Sequence, residues 1–244
     1  MKDRQFSHAT PFPLGRVSSL SKGILGSFIQ TRETQTKHSI NHFNRVGKNT
    51  PIVMFDRVIN DVECTKVVVD DFQSVYDATK YLIQEEHRKK ILLISNIEEL
   101  SVGKYRINGY NKAIEESGLS PNILKLGREK NPRTFIYNYL NKNPEIDAIL
   151  SIDHITGVMA LNKSKLFGKR IPEDISVIGF GYEDAKYVSS PKISVIDQKA
   201  FEIGQNSAEL LLNHLGSVDK IPYKTIMVKS ELIFNDTTQK KSLD

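Results

Sequence analysis

Six short apolar runs constrain the fold of this chain more than anything else in it: "PIVMFD", "KVVVD", "KKILLIS", "IDAILSID", "ISVIGF" and "ISVID". Each is unbroken rather than alternating with polar residues, so each strand is expected to be buried on both faces. Helical patterns lie between them. "FQSVYDATKYLIQEEH" places Val75, Ala78, Leu82 and Ile83 on one face, and "YRINGYNKAIEESG" carries Ile107, Tyr110, Ala113 and Ile114 before Gly118 stops it. "PRTFIYNYLNKN" begins with Pro132 and aligns Phe135, Ile136, Tyr139 and Leu140; "ITGVMALNKSKLFG" closes at Gly168. "AFEIGQNSAELLLNHLG" predicts a helix with Phe201, Gly204, Ala208, Leu211, Leu212 and Leu215 inward. "NILKL" and "YKTIMVKSELIF" read as further strand. Strands alternating with helices make parallel sheets from right-handed βαβ units, and these are too many for one small sheet. The expected class is α/β with two Rossmann-like layers.

The first fifty residues differ. "KGILGSFI" reads as strand and "SINHFNRVG" as the helix before Pro51, but residues 1–22 show only a coil containing Pro and Ser. Residues 1–50 carry eight cations against two anions, and the remainder is nearly neutral. Those cations are scattered rather than set on one helical stripe, which favours a solvated segment over a DNA-reading element. No run is apolar for long enough to span a bilayer, and the start has no apolar stretch after its cations, so neither a membrane anchor nor a signal peptide is expected. A single cysteine, Cys64, permits no internal disulfide. The expected location is the cytoplasm.

Open α/β sheets bind ligands beyond the carboxyl ends of their strands. Asp56, Asp70, Asp71, Ser95, Asn96 and Asp153 fall at such ends, and Arg106 follows "KILLIS". Carboxylate acceptors and a guanidinium fork suit a polyol, which offers both donors and acceptors. The competing reading is that strand-end acids cap the next helix. It is preferred for Asp70 and Asp71, is open for Asp153, and fits Asp56 poorly. Catalytic constellations are missing: there is no G-x-S-x-G, no phosphate-binding glycine motif, and no histidine paired with Cys64 in local sequence. His38 and His42 have helical spacing but no third ligand nearby, so no metal or other cofactor is expected.

Taken in order, "PIVMFDR", "VVVDDFQSVYDATKYLIQEEHRKKILLIS", "YRINGYNKAIEESGL", "PEIDAILSIDHITGVMALNKSKLFGKRIPEDISVIGF", "SPKISVIDQKAFEIGQNSAELLL" and "KTIMVKSELIFND" resemble the effector-binding core of the LacI/GalR transcription regulators. The resemblance covers roughly residues 51–236. It implies a periplasmic-binding-protein-like core of two subdomains joined by three crossings, with a ligand in the cleft between them. The expected division is residues 23–88 plus 192–220 for an N-terminal subdomain and 89–191 plus 221–236 for a C-terminal one. Residues 1–22 stay unassigned and 237–244 form a tail. Crossings are expected near His87–Lys90, at "SPKISVI" and near Lys220–Thr225.

The resemblance also implies four ligand contacts: Asp56, Arg106, Asp153 and Gln198. Two departures remove polar groups, since Ile152 stands where the family usually has Asn and Gly181 where it commonly has Asp. No helix-turn-helix head and no earlier strand–helix units are recognisable, so the N-terminal subdomain is expected to be incomplete. The expectation is a non-enzymatic sensor core for a small molecule, a sugar by resemblance. DNA binding would belong to full-length relatives rather than to this chain alone, and a homodimer is in doubt because part of the family's dimer surface is missing. The alternative is a gene remnant without activity; a solute-binding protein and an enzyme on the same scaffold stand behind it.

Overall fold

The computed structural model describes residues 27–29, 37–127, 129–182, 184, 187, 189–217, 219 and 221–239. The basic segment 1–22 lies outside the described residues. Elements alternate as β1 (Ser27–Ile29), α1 (Lys37–Val46), β2 (Ile52–Phe55), β3 (Thr65–Val69), α2 (Asp71–Gln84), β4 (Ile91–Ser95), α3 (Ser101–Glu116), β5 (Ile123–Lys125) and α4 (Pro132–Lys142). They continue as β6 (Ala148–Ser151), α5 (His154–Leu166), β7 (Ser176–Gly181), β8 (Ser194–Asp197), α6 (Ala200–Gly216), β9 (Thr225–Val228) and β10 (Glu231–Ile233).

Two sheets result. The first has the order β1-β2-β3-β9 and is wholly parallel; the second has the order β10-β8-β7-β6-β4-β5, with only β10 antiparallel. The unbroken apolar runs behave as their pattern demands. In the second sheet Ile91, Leu93, Leu150 and Ile178 face the α2–α3 side, while Leu92, Ile94, Ile149 and Val177 face α4 and α5. In the first, Val53 and Val67 pack toward α6, whereas Ile52 and Met54 meet Ile40 and Phe43 of α1. β2 is therefore covered on both faces and paired on both edges.

Sheet membership overturns the expected division at three places. β8 pairs with β7, in register Ile178↔Ser194 through Gly181↔Asp197, so "SPKISVI" does not return the chain to the first sheet. An apolar run without a polar face needs neighbours on both sides, and β7 and β10 supply them. β9 joins the first sheet beside β3, because its alternating pattern with Thr225 and Met227 exposed suits an edge. α2 packs on α3, β8 and β10, so it belongs with the second sheet. The actual crossings are at Asp70, at Gln198–Lys199 and at Lys229–Ser230. Nor are residues 237–239 a loose tail: Thr237 and Thr238 are buried, and Thr237 Oγ1 donates to the Val177 carbonyl at 2.6 Å.

Two helical faces also differ from expectation. α6 buries Ile203, Ser207, Leu210 and Leu211, leaving Phe201 85% and Leu212 66% exposed. The helix carries two apolar stripes, and periodicity alone cannot say which one meets the sheet. In α4, Ile136 and Leu140 are buried but Phe135 is exposed.

Tyr110 anchors α3 to the second sheet. It is fully buried; its Oη donates to the Ile91 carbonyl (2.8 Å) and accepts from the Asn122 backbone N–H (2.9 Å). Burial pushes the phenol up to about 12. The fold thus favours the neutral phenol, a contribution present below the ordinary value near 10 and lost as pH rises through 12. Tyr110→Phe should remove one late-ionising tyrosine from an alkaline absorbance titration; an unchanged late phase would contradict this placement.

Candidate functional site

The "R-I-N-G-Y" stretch of α3 is the starting point. Arg106 is buried and held on three sides. Its Nε donates to Asp71 Oδ1 at 2.7 Å, its Nη1 donates to the Ile152 carbonyl at 2.9 Å, and its guanidinium lies 3.4 Å from the centroid of the Phe180 ring. Nη2 makes no hydrogen bond to a described residue and is not sealed from solvent. The arginine is thus pre-oriented with one amino group to spare. Gly109, one turn on, explains how Asp71 comes within reach. A Cβ there would lie 2.2 Å from the Phe72 carbonyl oxygen, so only glycine lets the start of α2 approach α3 this closely.

Neither acid at the head of α2 caps it as expected. Asp70 makes no side-chain cap bond; its Oδ1 instead accepts from the Ser230 backbone N–H at 2.8 Å, tying two crossings together. Asp71 pairs with Arg106. Burial pushes the Asp71 carboxyl up and the Arg106 charge pulls it back, with Asp56 and Asp70 adding to the rise. Asp56 is therefore electrostatically joined to this group from the end of β2. Its backbone is left-handed (φ 55°), an uncommon conformation that aspartate tolerates better than most residues. Asp56, Asp70, Asp71, Phe72, Ser101 and Tyr105 share the lining of a 560 Å³ cavity between the first sheet and the starts of α2 and α3. Two hydrogen bonds join the loop after β2 to α3: Ser101 Oγ to the Val58 carbonyl (3.1 Å) and Asn60 Nδ2 to Tyr105 Oη (3.4 Å).

Asp153 does cap a helix. Its Oδ1 accepts from the Thr156 N–H at 3.0 Å and its Oδ2 from the Thr156 hydroxyl, so the carboxylate is fixed at the start of α5. Burial pushes its carboxyl up, offset by these bonds and by the charge of Arg106. His154 follows, its ring 5.6 Å from that of Tyr182, with Gly181 across from its Cβ. Gln198 stands at the second crossing, where its backbone N–H donates to the Gly181 carbonyl at 3.0 Å.

Of the four residues named from sequence, Arg106 bonds the Ile152 carbonyl next to Asp153 and is coupled to that acid by charge, and Asp56 is coupled by charge to Asp71, the partner of Arg106. Gln198 sits one strand over, beside Gly181; neither it, Arg106 nor Asp153 lines the cavity that contains Asp56. Sequence reasoning missed Asp71, Phe180 and His154. The doubled acid of "VVVDD" signalled the first; nothing local signalled that Phe180 would lie beneath a guanidinium. Among the described residues no group of three or more His, Cys, Asp or Glu could hold a metal ion. Cys64 is buried, and that burial pushes its thiol up, away from the reactive thiolate. No helix among the described residues is long and apolar enough to cross a membrane.

Comparison with known proteins adds the family. The HTH-type transcriptional repressor CytR of Escherichia coli (strain K12) is 28% identical over 199 residues, 78% of this chain and 56% of that protein. The HTH-type transcriptional regulator MalR of Clostridium butyricum is 29% identical over 178 residues, 71% of this chain and 52% of that protein. The chain thus spans about half the length of the curated relatives it matches. Among solved structures, a LacI family transcriptional regulator from Enterococcus faecium with bound ribose superposes with a TM-score of 0.72 at 22% identity, over 83% of this chain and 75% of that one. Another, from Arthrobacter sp. FB24 in complex with lactose, gives 0.71 at 21% identity, over 83% and 76%. Residues 17–231 match the family described as "Periplasmic binding proteins and sugar binding domain of LacI family", and the chain belongs to it.

Proposed function

We propose that this chain is the effector-sensing part of a LacI-type transcription regulator and that its ligand is a neutral sugar held in the cleft between the two sheets. The observation that carries this reading is Arg106. It is buried and fixed by Asp71, Ile152 and Phe180, its Nη2 makes no hydrogen bond to a described residue, and its charge is felt at Asp153. A donor and acceptors set at strand ends, with an aromatic ring beneath, suit the hydroxyls of a sugar. Asp56, Asp153 and Gln198 are proposed as the further contacts. The sugars named with the structural relatives, ribose and lactose among them, support the ligand class.

The reading is non-catalytic and cytoplasmic, as befits a regulator. α1 packs its apolar side chains on β2 and the helices α2–α6 pack on the two sheets or on each other, so sequence-specific DNA contacts are assigned to other parts of such regulators rather than to these residues. Calorimetry of the chain with ribose, xylulose, cellobiose and lactose tests the proposal. One or more should bind with a single site, and Asp153→Ala should weaken that binding at least tenfold. Binding left intact by Asp153→Ala would remove that residue from the site; no heat with any sugar would remove the ligand class.

A further inference from the structure

His154 is the one buried polar side-chain atom problem among the described residues. Its Nδ1 is sealed from solvent and has no hydrogen-bond partner. Its Nε2 also makes no hydrogen bond to a described residue, yet it is not sealed. A proton on Nδ1 would leave a buried N–H unpaired, which costs more than leaving the weaker lone pair unused. The proton therefore sits on Nε2, and the ring presents a neutral donor toward solvent. Burial lowers the basicity of the imidazole against the opposing charge of Asp153, in keeping with that neutral form.

The surroundings place this donor at the carboxyl ends of β6 and β7. His154 is the first residue of α5, directly after Asp153, at the carboxyl end of β6. Tyr182 stands beside it, half exposed, at the end of β7. Opposite lies Gly181, where a Cβ would come within 3.2 Å of the His154 Cβ. The glycine thus leaves the imidazole its room, and a side chain there would require His154 to yield.

We propose that His154 is a specificity-determining contact of this cleft, donating through Nε2 to a hydroxyl or ring oxygen of the bound sugar in space kept open by Gly181. This rests on the reading that the cleft binds a small polyol. Asp153 and Arg106 would fix the ligand's position, while His154 would discriminate among stereoisomers and deoxy forms by whether an oxygen reaches Nε2. A site that hydrogen-bonds a substrate oxygen rejects the analogue lacking it strongly, because the buried partner is then left unpaired.

Two replacements separate the nitrogens. Glutamine places its amide nitrogen near the position of Nε2, and asparagine near that of Nδ1. For whichever of ribose, xylulose, cellobiose or lactose binds the parent chain, His154→Gln should stay within about threefold of the parent affinity, while His154→Asn and His154→Ala should each lose tenfold or more. Among the monodeoxy forms of that sugar, one should bind weakly to the parent and be nearly insensitive to His154→Ala. Thermal melts of all three variants report folding separately. Equal affinities for the parent and all variants, or the same loss for every deoxy form, would overturn the proposal while leaving the sugar-binding reading intact. Silence of the parent toward all four sugars would overturn both.

Discussion

Arg106→Ala should lose at least a hundredfold in effector affinity and, separately, about 3–5 kcal/mol of folding stability at neutral pH. The two losses have different origins. Affinity falls because the fixed Nη2 donor goes, and a charge-assisted contact in a shielded cleft is among the stronger hydrogen bonds available. Stability falls because the Asp71 carboxylate, buried with Arg106 as its ion-pair partner, is left without a counter-charge. Phe180 also loses the plate that covers its ring. Burial already pushes the Asp71 carboxyl up, and without Arg106 nothing pulls it back. Its folded value then lies well above its unfolded one, so the penalty is absent below about pH 4 and grows as pH rises through the folded value. Urea melts should accordingly show a gap between variant and parent that narrows toward acid. The double variant Arg106→Met with Asp71→Leu should recover much of the stability, since apolar replacement of a buried pair is often neutral, but none of the binding. A double variant that binds normally would show that the pair only supports the fold.

The sequence showed the layers plainly and the crossings poorly, for one physical reason. Burial on both faces leaves a readable mark, and every strand read as an unbroken apolar run is internal to its sheet. Which sheet a strand joins depends on partners distant in sequence. "ISVID" is equally apolar beside β7 or beside β3, and only the packed fold decides. The same limit applies to α6, whose Phe201 stripe and Ile203 stripe lie on different sides of the helix. At the site, Asp56 and Asp153 were legible as acids at strand ends. Asp71 was misread as a cap because its partner lies 35 residues away on α3. His154 carried no signal at all; its interest arises from a nitrogen left without a partner and a glycine opposite, and both facts belong to three dimensions.

The other large effect is expected far from the cleft, at Arg88. This arginine lies at the turn before β4 and is buried, as is Glu86. Its Nε donates to Glu86 Oε2 (3.1 Å), its Nη1 to the Glu173 carbonyl (3.2 Å), and its Nη2 to the Pro172 carbonyl and to Ser176 Oγ (2.8 Å). Glu86 in turn accepts from the Ser176 hydroxyl and, through Oε1, from the Gln239 backbone N–H at 3.0 Å. Tyr81 Oη closes the ring by donating to the Gln239 carbonyl at 2.6 Å. One pair of charges thus joins the end of α2, the segment before β7 and the segment around Gln239. Such a network is favourable only while every member is satisfied, and half of it is worse than none. Arg88→Ala removes the ion-pair partner of the buried Glu86 and the donor to the Pro172 and Glu173 carbonyls, so about 3–5 kcal/mol should be lost. Because the breach lies at the end of the sheet opposite the cleft, sugar affinity measured below the melting transition should move by less than threefold. Hydrogen exchange should quicken at residues 237–239 before it quickens at β6, since those residues rely on Glu86 and Thr237 whereas β6 is held by its neighbours β4 and β7. A melt within 1 kcal/mol of the parent would mean that water replaces the guanidinium, and that this end of the sheet is open rather than sealed.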